Sequence, residues 1–133
     1  MAIISNIQKI LDTRLKSLPS NPYIAWPNTQ FQPANSTSYI RPTLLMANTD
    51  LYTLNNHERL PGIYQVDIFG QLNRGVQQVY SLADEIRDWF DADREYTEGT
   101  TTLYIQAISY GTTQEVQGAW YRVFVEINFL AFN

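Results

Sequence analysis

The sequence predicts an α+β domain, a mostly antiparallel sheet with two helices packed on one face. Three observations predict it. Apolar residues recur at helical spacing in two separate segments, 2–18 and 73–90. Runs with period-two alternation lie between and after them, the clearest being GIYQVDIFG (62–70) and the closing QGAWYRVFVEINFLAFN (117–133). The order is helix, about three strands, helix, two strands, which is not the strand–helix alternation of a parallel sheet. With 133 residues and no linker or repeat, the chain reads as one domain, 1–133.

The first helix sets Ile3, Ile4, Ile7, Ile10, Leu11, Leu15 and Leu18 on one stripe, and Pro19 and Pro22 close it. Residues 19–38 carry four prolines and read as extended loop, with a short strand at Tyr23 to Trp26. YIRPTLLMA (39–47) is rich in strand formers, but Pro42 cannot donate to a ladder, which places it at an edge or a bulge. Residues 48–60 are mixed, with an edge strand conceivable around Leu51 to Leu54. In 62–70, Tyr64, Val66 and Ile68 share one face while Ile63, Gln65, Asp67 and Phe69 share the other. The second helix aligns Val76, Val79, Tyr80, Ala83, Ile86, Trp89 and Phe90. DADREYTEGTT reads as a loop, TLYIQAISY (102–110) as a strand, and 111–118 as the turn of a long hairpin into the final strand.

Composition excludes several classes of function. The chain has no cysteine, so disulfides, thiol catalysis and thiolate metal sites are absent. Nine Lys and Arg against 13 Asp and Glu give a net charge of −4, and no basic run exists to grip phosphates. Sequence-specific nucleic-acid binding is therefore not expected. The first segment is an amphipathic helix rather than a signal peptide, and no apolar run has the length to span a membrane. Charged residues make up 17%, below the usual quarter, while nine Tyr, six Phe and three Trp are present. Few charges and many aromatics suit a chain that hides surface against protein partners.

No catalytic or cofactor constellation emerges. His57 is the only histidine, in the polar stretch LNNHERL, without a Gly-x-Ser-x-Gly elbow. Asp91, Asp93, Glu95 and Glu98 superficially resemble a calcium loop, but Tyr96 stands where that loop needs glycine and Thr102 where it needs a bidentate Glu. Catalytic, cofactor and metal residues are thus none. What the acidic group does offer is Asp93 and Glu95 as contacts for a basic partner, because acids at a helix C-terminus oppose the macrodipole.

The final strand raises the question of what covers it. Ala119, Tyr121, Val123, Val125, Ile127, Phe129 and Ala131 form a wholly apolar face, and the opposite face is apolar at its two ends. Two helices cover one sheet face, so part of the other awaits an outside partner. The alternation leaves open which face is which. Tyr121, Val123 and Val125 are accordingly candidate partner-contact residues, with Arg41 as a polar anchor in its apolar strand. The loops at 27–38, 91–101 and 111–118 are further candidates.

IAWPNTQFQP (24–33), YIRPTLL (39–45), GIYQVDIFGQLNRG (62–75) and LADEIRDWF (82–90) occur in an order and spacing that resemble the tail terminator proteins of long-tailed bacteriophages and prophages. The resemblance runs from the first helix to the last strand; residues 48–60 fit it less closely. It implies a small α+β subunit of a structural, non-enzymatic kind, assembled in the host cytoplasm into the virion neck without a cofactor. It further implies a homo-oligomeric, hexameric ring that caps the head-proximal end of the tail tube and stops its polymerisation. Such a ring binds the tail tube protein and the head–tail connector protein and lets DNA pass through its channel. The resemblance fixes no interface residue. Two rivals share the bulk properties: another neck ring protein, such as a head-completion or connector-stopper protein, and a monomeric α+β domain that binds a small ligand.

Overall fold

A computed structural model describes residues 3–28, 38–47, 50–52, 57–71, 77–111, 116–117 and 120–132. The elements, in order, are α1 (Ile3–Lys16), β1 (Tyr23–Ile24), β2 (Tyr39–Met46), β3 (Asp50–Tyr52), β4 (His57–Gln71), α2 (Gln77–Asp91), β5 (Glu95–Glu98), β6 (Thr101–Gly111), β7 (Val116–Gln117) and β8 (Trp120–Phe132). The strands form one sheet in the order β1-β2-β4-β8-β6-β5, with β3 alongside β4 and β7 alongside β8. Every pairing is antiparallel except β1 with β2. The α+β class and the two helices are therefore as the periodicities predict.

Both helices lie on one face. From α1, Ile7, Leu11 and Leu15 are fully buried; from α2, Val79, Ala83, Ile86 and Phe90 turn inward. They pack on Tyr64, Val66 and Ile68 of β4, on Leu103 and Ile105 of β6, and on the apolar face of β8 from Val123 to Ala131. Burying a side chain of this kind contributes on the order of 1.5–3 kcal/mol, so the helix–sheet layer is the main source of stability. Close approach makes the layer tight: a Cβ on Gly70 would stand 2.2 Å from Val79 Cγ2 of α2. Polar anchors tie the helices down. Tyr64 donates its hydroxyl to Asp12 of α1, and the Trp89 indole donates to the Arg14 carbonyl at 2.9 Å. The Arg14 guanidinium lies 4.0 Å above the Trp89 ring, a cation–π contact joining the two helices.

Three expectations need correction. The strand expected at 62–70 starts at His57 and passes through Pro61. A proline is tolerated there because β2 has ended at the Met46–Gly62 pair and β3 resumes at Asp50–Arg59, so no described strand on that side asks Pro61 for a donor; its carbonyl accepts from the Ala47 amide at 3.0 Å. Residues 95–98, read as loop, form β5 and pair with β6. The two-residue turn has Gly99 at φ 61, the position where a type II′ hairpin turn requires glycine. The strand expected over Tyr23 to Trp26 is confined to Tyr23 and Ile24. Pro42 lies where predicted, at an edge, since β1 pairs with β2 only at Tyr39 and Ile40. Residues 29–37, 112–115 and 118, within the predicted contact loops, lie outside the described residues, as do Ala119 of the predicted final strand and the predicted start of the second helix at 73–76.

Candidate interaction surface

The sheet face away from the helices is where the unexplained residues collect. Directly opposed residues share a face, so the strand registers set this surface out in rows. At one end Tyr39, Phe69 and Arg122 stand side by side, followed by Arg41, Asp67 and Phe124. Thr43, Gln65, Glu126 and Ser109 come next, then Leu45, Ile63, Asn128 and Ala107. Pro61, Leu130 and Tyr104 form the next row, and Arg59, Phe132 and Thr102 the last. The outward surface is thus cationic and aromatic at one end and mostly apolar at the other. Most of these side chains are half-buried by their neighbours alone, while Leu45 and Tyr104 are 47% and 40% exposed.

Asp67 organises the cationic end. It is 2% exposed although no helix covers it. Its Oδ1 accepts from Arg122 Nε at 3.1 Å, from Arg122 Nη2 at 2.8 Å and from Gln65 Nε2 at 3.0 Å; its Oδ2 accepts from Arg41 Nη2 at 3.3 Å. Aromatic rings provide the cover. Tyr39 stacks on Phe69 with centroids 4.7 Å apart, Arg41 lies 5.0 Å over Phe69, and Arg122 lies 5.5 Å over Phe124. Burial pushes the Tyr39 hydroxyl above its usual range, against the pull of Arg41. Two guanidiniums therefore share one desolvated carboxylate, an arrangement that orients both.

The structure separates the six residues singled out from the sequence. Val123 and Val125 are 1% and 0% exposed in the helix-covered core, so they are subunit-core residues and present no surface to a partner. The reason is that α1 and α2 have only one apolar sheet face large enough to fill, and it is theirs. Tyr121 is on the same side but at its margin, its hydroxyl 3.3 Å from that of Tyr80 on α2; this contact first, then burial, raises its pKa. Arg41 is on the outward face, its side chain 47% exposed. Asp93 and Glu95 are exposed where α2 gives way to β5, at the far edge of the sheet. Asp67, Arg122 and Phe69 were not anticipated as a group. Alternation pairs Asp67 with Phe69 and Arg122 with Phe124, but joining them takes the β4–β8 register, and no residue pattern states that.

Among the described residues no catalytic arrangement is seen. The four acids from the end of α2 through β5 do not converge: Asp91 accepts from Arg94 at 2.7 Å, Glu98 pairs with Lys9 of α1 at 2.7 Å, and Glu95 and Glu98 leave β5 on opposite faces. Among the described residues no group of three or more potential ligands is placed to hold a metal, and no helix is long and apolar enough to cross a membrane. His57 begins β4, its side chain outside the described residues. A groove of about 350 Å³ between residues 20–23 and α2 is lined by Ser20, Asn21, Ser81 and Glu85 and gathers no set of reactive groups.

Among the described residues the two helices complete the core on one sheet face and leave the other face without a covering layer. Comparison with known proteins identifies the family. The family model described as phage tail terminator protein matches residues 6–129, so the chain belongs to the phage tail terminator family. It is accordingly a structural component of a phage tail. One solved structure, 21% identical, matches over 97% of this chain and 92% of its own with a TM-score of 0.73, which shows a common fold. No curated protein matches.

Proposed function

We propose that the chain forms a hexameric ring on the head-proximal end of the phage tail tube, where it stops tube polymerisation and presents the docking surface for the head connector. Membership of the tail terminator family is the basis of the reading. The observation that carries it further is the outward sheet face, on which apolar and arginine side chains remain half-buried with no element among the described residues to cover them. Leaving such a face to water forfeits the burial that stabilises the rest of the molecule, and covering it with neighbours recovers that burial. The ring's partners are the tail tube subunit on one side and the connector on the other. A net charge of −4, with no basic run, suits a channel through which DNA must slide without being held.

Light scattering during size exclusion tests the ring. A mass near six times the 15.4 kDa subunit, maintained as the concentration falls, is expected. A single-subunit mass at every concentration contradicts a free-standing ring.

A further inference from the structure

The molecule carries its charge unevenly. Residues 84–98 hold seven carboxylates and two arginines, a net −5 in a chain whose total is −4, which leaves the rest of the chain at +1. These residues are the second half of α2 and all of β5, the last strand of the sheet path. Near the opposite end of that path, β2 carries Arg41, one of two cations that share Asp67.

The two ends also match in what they leave open. Among the described residues, β2 has no strand neighbour on its outer side after Ile40, and neither has β5 on its own. Leu45 and Tyr23 stand 47% and 63% exposed at the β2 end; Tyr104 and Tyr110 stand 40% and 45% exposed at the other. Pro42 removes a donor from the β2 edge, so contact there falls to side chains and not to a continued ladder.

We propose that the ring is closed by docking the β2 edge of one copy onto the β5–α2 edge of the next, with Arg41 facing the carboxylates of Asp93 and Glu95. The inference rests on the ring reading above and names its interface. The two edges differ in charge and lie at opposite ends of one sheet. The contact is therefore heterologous, and it gives a closed ring when the rotation between neighbours divides a full turn, as a sixfold ring requires.

The absence of cysteine makes a clean test possible. A chain carrying Leu45→Cys and Thr97→Cys, one on each edge, is treated with a short bismaleimide. A ladder of covalent oligomers ending at six is expected, with each single-cysteine variant remaining a monomer on a denaturing gel. A dimer from either single variant would instead show like edges meeting, and would overturn the head-to-tail contact. No adduct from a protein that light scattering shows to be oligomeric overturns this interface and leaves the ring intact. No adduct from a protein that is monomeric at every concentration overturns both. Charge supplies the second arm. Glu95→Arg, at an exposed position that the fold does not need, should abolish the oligomer, and so should Arg41→Glu. The variant carrying both should regain it. Unchanged assembly in Glu95→Arg counts against the pairing of charges whatever Arg41→Glu does to folding.

Discussion

At the residue scale, two carboxylates show how context decides what a charge does. Asp67 is held by two arginines and a glutamine, so losing its charge removes a charge-assisted partner from Arg122, only 18% exposed along its side chain, and from Arg41. Asp67→Asn, which keeps the shape, is expected to cost about 2–3 kcal/mol in urea denaturation, the scale of a charge-assisted bond lost at a desolvated site. Asp12 is the reverse case. Burial raises its pKa from the ordinary 3.8, and this outweighs the hydrogen bonds from Tyr64 and Gln8, which lower it. A carboxyl with a raised folded pKa favours the folded state fully below its unfolded pKa, and that advantage is lost as pH rises through the folded value. Wild type should therefore lose stability relative to Asp12→Asn as pH climbs from below 3.8 through the raised value, and the two curves should run parallel above it. Melting temperatures of the pair across acid pH check this. A difference that does not change with pH would mean that the Tyr64 bond compensates the burial.

At the scale of elements, α2 is a helix with its charges misplaced. It has no acidic residue in its first turn and no basic residue in its last, where Asp88 and Asp91 oppose the dipole. Arg94 relieves Asp91 from outside the helix. Asp88 also stands one turn after Asp84, a like-charge pair. Asp88→Lys reverses both effects and should stabilise the fold by about 0.5–1 kcal/mol, seen as a rise of a few degrees in melting temperature. Such a gain would fit the proposal that the acidity of this segment serves contact with a neighbouring copy. The elements themselves were legible in the sequence to different depths. Helical periodicity revealed α1 and α2, and alternation revealed the core of β4 and the whole of β8, because each has a clear apolar stripe or face. β5 escaped because EYTE is half acidic and reads as solvated loop; the signal present was the Gly99–Thr100 turn between two Tyr- and Thr-bearing stretches. The first residues of β4 escaped because Pro61 argues against a central strand unless one knows that β2 and β3 part at that point.

At the scale of the whole molecule, the sequence showed that one sheet face would go uncovered without showing which. Val123 and Val125 on one side and Arg122 and Phe124 on the other belong to the same strand, and both sides carry apolar residues. The choice is made by the helices, whose combined apolar surface matches the longer unbroken face, and that match exists only in three dimensions. What remains outward is a surface with Arg41 and Asp67 at one end and Leu45, Ile63 and Leu130 toward the other, flanked by edges of unlike charge. On the proposed assembly, the helix layer holds the fold and the outward face makes the contacts. Substitutions in the helix layer should unfold the subunit, whereas substitutions such as Leu45→Asp should leave the stability of the monomer within about 0.5 kcal/mol of wild type and weaken assembly instead. Circular dichroism and light scattering on the same samples separate the two.

The central claim is that this protein ends a tail tube, and tube length measures it directly. Purified tail tube protein is polymerised with and without the chain and imaged by negative-stain electron microscopy. Tubes that stop short in its presence and carry extra density at one end only are the predicted result. Tubes of unchanged length with bare ends, at concentrations where the protein is fully assembled, would contradict the account.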